Sequence, residues 1–265
     1  PRSRGLGDVY KRQKKKYRFG KYRSLRNPEG GTFNGRRIVM HMNGTIKTNM
    51  SEYISRKVKP IPISRERKQK QQDPIVEGER SQLRTLTMVM FWVAREGRWE
   101  VIGPVSLLSR KIHDATVETL IDANKTVEHL HATKDLTLTF LPIHPKDAVM
   151  FLACDGSLAE KGELFCQAGL VCGITTKELA EGREAPLNLI GARSGKVDRV
   201  CAGSLSVEAY SMVGGVACVE WAQKCYQEMA NSLYDPEWAR RRIHEWDQST
   251  PTWLLYTSPS PRDRG

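Results

Sequence analysis

The chain has 265 residues, 39% hydrophobic and 27% charged, with 42 Lys+Arg against 30 Asp+Glu and six Cys. This composition excludes a collagen-like chain, a disulfide scaffold and a wholly disordered tail, and no apolar run approaches the roughly 18 residues that span a bilayer. The formal charge of +12 points to a polyanionic partner, with a solvated charged surface as the plain alternative.

The two ends come first. Residues 3–12 read SRGLGDVYKR and residues 254–263 read LLYTSPSPRD. The second can be encoded by CTC TTA TAC ACA TCT CCG AGC CCA CGA GAC. The reverse complement of that DNA, in a shifted frame, encodes the first. One adapter ligated at both sides gives this relation, and the string resembles a transposase-type sequencing-library adapter. Residues 1–13 and 254–265 are therefore expected to be adapter translations, with the natural termini and any targeting signal lost.

Between them the charge is uneven. Residues 14–72 carry +14 and residues 73–253 carry −6. The basic strip holds Lys14, Lys15, Lys16, Arg18, Lys21, Arg23 and Arg26, with Tyr17, Phe19 and Tyr22 interleaved. Phosphate neutralisation with aromatic stacking suits such a strip; a solvated arm suits it equally.

From Arg37 to Met42 the residues have strand chemistry. Asn43-Gly44 is a hairpin signal, and Thr45–Thr48 is the expected return strand. Residues 59–78 are Pro-punctuated and charged, which predicts a linker or exposed loop. A helix is expected over 79–95, with Leu83, Leu86, Met90 and Val93 on one face. Pro104 precedes a second apolar stretch, Val105–Leu108. Another helix is expected over 115–131, with Val117, Leu120, Ile121, Val127 and Leu130 inward and Asp114 as N-cap.

From Leu136 to Phe140 the period is that of a strand. Ala148 to Cys154 then reads as a buried strand ending at Asp155-Gly156-Ser157. Further strands are expected over 165–175 and 187–192. Ser204 opens a helix whose apolar stripe is expected to be Leu205, Ala209, Met212, Val216 and Val219. Gly214 and Gly215 weaken that helix by about 1 kcal/mol each relative to Ala, which implies close packing or a kink. Residues 231–253 read only as polar helix or loop.

The cysteines, at 154, 166, 172, 201, 218 and 225, contain no C-x-x-C and no matching Cys/His cluster. A zinc ribbon or redox motif is unsupported. Buried free thiols are the ordinary reading, which favours a reducing, intracellular compartment, cytoplasmic or nuclear. His113, His129, His131 and His144 share no catalytic or metal spacing.

Asp155 and Glu208 are the candidate chemistry. A helix that packs across a meander can bring its first turns to the end of the first strand. Two carboxylates so juxtaposed repel unless a cation sits between them, and hard oxygen ligands suit magnesium or manganese. By spacing alone the plain reading is favoured: a turn Asp and a dipole-complementing Glu. Arg193, Lys196 and Arg199 lie between the third strand and the Glu208 helix, as a basic stretch near a ligand or as a solvated connection.

A resemblance adds to this. AVMFLACDGS, FCQAGLVCGI, APLNLIGARSGKVDRV and SLSVEAYSMVGG are similar to the ribonuclease H domain of copia-type retrotransposon polyproteins. Upstream, GTFNGRRIVMHMNGTIKTNMSEYI, GERSQLRTLTMVMFWVAREGR and ATVETLIDANKTVEHLHAT resemble the segment after that family's polymerase site. The likeness covers nearly all of 18–230, in the same order. It implies an α+β or α/β chain: the hairpin and helical end of a reverse transcriptase over 14–140, then a partial ribonuclease H-like mixed sheet with a packed helix over 141–253. It implies that Asp155 and Glu208 are catalytic metal ligands for Mg2+ or Mn2+, two ions in the complete domain. The implied reaction is cleavage of RNA in RNA–DNA hybrids. The implied partners are nucleic acid, held in part by Arg193, Lys196 and Arg199, and the rest of the polyprotein, with no membrane.

Departures temper the implied activity. Met88-Val89-Met90 replaces the family's Gly-Ser pair, and Arg98-Trp99-Glu100 replaces Arg-Pro-Asp. No Asp-Asp polymerase pair occurs in the chain. The third ribonuclease H carboxylate has no match either, because Asp235 and Asp247 precede any predicted strand. The expectation is a fragment with little or no catalysis of its own, and enzyme status stays open. The rival reading is a non-catalytic nucleic-acid-binding module or a decayed relic.

Overall fold

The computed structural model describes residues 25–159, 165–230 and 252–256. They form an α+β structure with two sheets.

The first sheet is antiparallel, in the order β1 (Gly31–Phe33), β2 (Arg36–Met40), β3 (Ile46–Asn49), β4 (Leu138–Phe140). The predicted hairpin at Asn43-Gly44 forms, with Asn43 Oδ1 accepting from Thr45 N at 3.0 Å. A second hairpin joins β1 to β2 through Asn34-Gly35, at φ 54° and 82°. Two positive φ values match the right-handed twist of the flanking strands, which is why Asn-Gly is favoured there. The chain after β3 does not stay extended. Ser51–Lys57 is helix α1, and it buries Ile54.

Residues 59–78 are packed rather than a free linker. Helix α2 (Arg65–Gln69) is capped by Ser64, whose Oγ accepts from Arg67 N at 3.2 Å. Val58, Ile61 and Ile75 are buried. Asn124 clamps this segment: its Oδ1 accepts from Ile61 N and its Nδ2 donates to Ile61 O, both at 2.8 Å. Asn124→Ala removes both partners from a buried peptide, and the expected loss is about 2–4 kcal/mol. A urea midpoint checks it, since loss of a solvated contact would move the midpoint little.

Helix α3 (Glu77–Arg95) starts two residues earlier than its apolar period suggests. Glu79 Oε2 accepts from Val76 N at 2.9 Å, which serves one of the donors orphaned at a helix start. Its hydrogen bond from Arg67 is the main reason its carboxyl titrates below the usual carboxylate range. Leu83, Leu86, Met90 and Val93 are all buried, as the period predicts.

A 3-10 turn (Trp99–Val101) leads into α4 (Ile102–Lys111). Pro104 stands in the first turn of α4, where a missing N–H is tolerated. Helix α5 runs Val117–Ala132, with Thr116 rather than Asp114 as N-cap. The cause is tertiary. Ile75 N donates to Ala115 O and Val117 N to Asp73 O, so the chain through 116 is held as an extended bridge to Pro74. Apolar faces of α1, α3, α4 and α5 share one core.

The second sheet has the order β7 (Asn188–Lys196), β6 (Gln167–Thr175), β5 (Val149–Ser157), β8 (Thr252–Tyr256). β5, β6 and β7 form an antiparallel meander, with short helix α6 (Lys177–Ala180) between the last two, and β8 runs parallel to β5. Leu254, Leu255 and Tyr256 of β8 belong to the adapter-like segment. β8 bears no carboxylate.

Helix α7 (Ser204–Ala230) packs on β5 and β6. Its buried stripe is the expected one only in its second half, where Val219 is buried and Val216 packs on the core. Leu205 is 76% exposed and Ala209 is exposed, whereas Val207, Ser211, Gly215, Val219 and Ala222 face the sheet. Close approach selects the small residues. A Cβ at Gly215 would stand 3.0 Å from both methyl carbons of Leu152, and Ser211 Oγ donates to Gly169 O at 2.9 Å. The helix runs through Gly214-Gly215, so close packing, rather than a break in the helix, accounts for Gly215.

The two halves touch at specific points. Asn188 repeats the device of Asn124, exchanging two 2.7 Å hydrogen bonds with the backbone of Leu141. Arg110 of α4 donates to Phe165 O and to Gln167 Oε1, each at 3.0 Å.

Candidate functional site

Residues alternate across β5, and Met150, Leu152 and Cys154 turn to α7. Asp155 therefore leaves from the other face, and it is exposed. It does not end the strand. β5 continues to Ser157, and Asp155 lies opposite Gly169 of β6. Asp155 Oδ1 accepts from Gly156 N at 2.9 Å.

Glu208 lies in the second turn of α7 and is half-buried. What joins it to Asp155 is the contact between their neighbours. A Cβ at Gly156 would stand 2.7 Å from Val207 Cγ1 and 2.8 and 2.9 Å from the Val207 carbonyl carbon and oxygen. That carbonyl belongs to the peptide leading into Glu208. Only glycine lets the strand come this close to the helix. The two carboxylate residues thus sit at one end of the sheet, each one residue from the tightest contact between strand and helix.

Two carboxylates, with water and a substrate phosphate, suit one magnesium ion. No group of three or more His, Cys, Asp or Glu that could hold a metal occurs among the described residues. The described donors do not fit a two-ion centre, so no hydrolytic step is assigned to this chain. Asp235 and Asp247 lie outside the described residues.

Two of the thiols are held from acting as nucleophiles. All six cysteines are free. Burial, and then the charge of Asp155, pushes the Cys154 thiol up. Burial and the neighbouring Cys218, with sulfurs 4.0 Å apart, push Cys172 up to about 12. Neither is a thiolate near neutral pH.

Of the basic candidates, Lys14, Lys15, Lys16 and Arg18 lie outside the described residues. Arg199 is exposed beyond β7. Arg193 and Lys196 line a cavity of about 980 Å³ between α4 and β7, joined there by Arg95, Arg110 and Lys111. Those three escaped the sequence reading because their helices lie about 80 to 100 residues before β7. No spacing rule connects a helix face to a distant edge strand. No helix among the described residues is long and apolar enough to cross a membrane. No family model, curated protein or solved structure matches the chain.

Proposed function

We propose that residues 14–253 come from a copia-type retroelement polyprotein and carry the end of its reverse transcriptase and the first part of its ribonuclease H domain. The parent activity is hydrolysis of the RNA strand of RNA–DNA hybrids. Asp155 and Glu208 are metal ligands of that domain. The missing carboxylates leave this chain with little or no hydrolysis.

The observation that carries this reading is the Gly156–Val207 contact, which sets Asp155 and Glu208 at one end of a three-stranded meander with a helix across it. Arg98-Trp99-Glu100, which departs from the family triplet, has an ion pair between its first and third residues.

The test starts at the genomic locus, sequenced across both ends with no transposase adapter. The expected frame runs upstream into an Asp-Asp motif and downstream into a strand with a third carboxylate. In that extended protein, Asp155→Asn should abolish magnesium-dependent hybrid cleavage and leave hybrid binding intact. An unchanged cleavage rate, or stop codons on both sides, sinks the enzyme reading. The +14 of residues 14–72 favours the second reading, a binding module without catalysis, which stop codons with retained nucleic-acid binding would support.

A further inference from the structure

The cavity between α4 and β7 has no role in the carboxylate chemistry, and its charge needs a partner. It is lined by Arg95, Arg110, Lys111 and Lys196 and, along the edge strand, by Arg193, whose position opposite Leu170 puts it on the other face of β7, against one carboxylate, Asp198. Lys196 is engaged, 3.7 Å from Asp198 and 4.7 Å from the centroid of the Phe165 ring. Arg110 is engaged by Phe165 O and Gln167. Arg95, Lys111 and Arg193 pair with no carboxylate among the described residues. Cations gathered on facing walls repel one another, and an anion laid between them relieves that repulsion.

We propose that this cleft is a phosphodiester-binding site that holds one strand of a nucleic acid. Several cations spread over two helices and an edge strand match successive phosphates better than a single phosphoryl group. Guanidinium and ammonium groups recognise phosphate oxygens by charge-assisted hydrogen bonds. Phe165, 41% exposed at the cavity wall, offers a ring on which a base or sugar can pack. An acidic peptide has no such use for an aromatic ring beside the cations.

The cleft lies near the carboxylate. Ser194, on its wall, is opposite Gly169, which is opposite Asp155. Opposed residues share a sheet face, and strands are about 4.8 Å apart. A strand in the cleft therefore runs about 10 Å from Asp155 on the same face. The assignment rests on the reading above for its class of partner only, because binding needs neither carboxylate.

The experiment is fluorescence anisotropy of a labelled single-stranded oligothymidylate with the full chain, in EDTA, over a series of salt concentrations. Arg95→Glu with Lys111→Glu reverses two exposed charges of the cleft. It should weaken binding about tenfold or more and flatten the log–log salt slope by about 1.4, that is, about 0.7 per lost phosphate contact. Lys57→Glu with Lys68→Glu, two exposed cations elsewhere, should stay within about twofold of the unaltered chain. Arg95→Gln with Lys111→Gln gives the same readout without introduced negative charge. An equal loss in both Glu pairs overturns the site in favour of diffuse electrostatics. No loss in either cleft variant overturns it outright. Displacement of the oligonucleotide by polyglutamate at matched charge overturns the choice of nucleic acid. Binding is read in EDTA and needs no hydrolysis, so failure of the catalytic reading, seen as unchanged hybrid cleavage in the extended protein, is separate from failure of this site, seen as unchanged anisotropy.

Discussion

Glu100→Ala should cost about 3 kcal/mol or more. Its partner Arg98 is only 3% exposed, and Glu100 Oε1 accepts from Arg98 Nε at 2.7 Å and Nη2 at 2.6 Å. Arg98 Nη2 also donates to Thr133 Oγ1, whereas its buried Nη1 has no partner among the described residues. Removing the carboxylate leaves a buried charge with one hydroxyl for company, and stranding a buried ion costs about 3–5 kcal/mol. Glu100 is itself 38% exposed, so water entering the gap brings the loss toward the lower end. Arg98→Met takes the charge away instead and should cost less, because replacing a buried ion by an apolar chain of similar volume is often neutral. The decisive result is the double variant. Glu100→Ala in an Arg98→Met background should cost under about 1 kcal/mol, read from urea midpoints. A double variant as unstable as the sum of the singles means that the pair does not act through charge.

Gly156→Ala should destabilise the protein by about 1–3 kcal/mol, toward the upper end, while two glycines on the facing helix respond differently. At Gly156 the added carbon meets backbone atoms of Val207 at 2.8 and 2.9 Å. Backbone inside a helix cannot turn aside, so α7 must lift from β5. At Gly215 the added carbon meets only the methyl ends of Leu152, at 3.0 Å. Those can rotate slightly, so Gly215→Ala should cost under about 1 kcal/mol. At Gly214 there is nothing within 4 Å, and Ala there should add about 0.5–1 kcal/mol of stability through helix propensity. Thermal unfolding of the three variants gives the order directly. If Gly214→Ala proves the most damaging, α7 is rotated from the position described. On the function proposed above, Gly156→Ala in the extended protein should also lower hybrid cleavage, because the same contact sets Asp155 and Glu208 at one end of the sheet.

Much of the local structure was legible from residue type. The faces of α3 and α5, the Asn43-Gly44 hairpin and the three strands of the meander follow from periodicity and turn chemistry. The misses have a common cause. Asn34-Gly35 carried the same hairpin signal as Asn43-Gly44, but β1 is only three residues long, too short for its alternation to be counted. Thr116 rather than Asp114 caps α5 because the Pro74 segment holds residues 115–116 extended. Residues 59–78 looked like a linker by composition, yet Asn124, from a helix 63 residues away, satisfies the backbone of Ile61.

The sequence by itself determined most of the longer elements, the uneven charge and the absence of metal-binding cysteine spacing, because each depends on residues close together along the chain; the two candidate carboxylates were singled out by the resemblance and not by any local pattern. The tertiary structure alone decided which face of α7 is buried. Hydrophobicity pointed to Leu205 and Met212, but a helix lying this close to a sheet must turn its smallest residues inward, and Gly215 and Ser211 face the strands. It also decided that Arg95 and Lys111 share a cleft with Arg193 and Lys196. Cations on a helix and on an edge strand become one electrostatic site only when packing brings their elements together, and no local pattern encodes that distance.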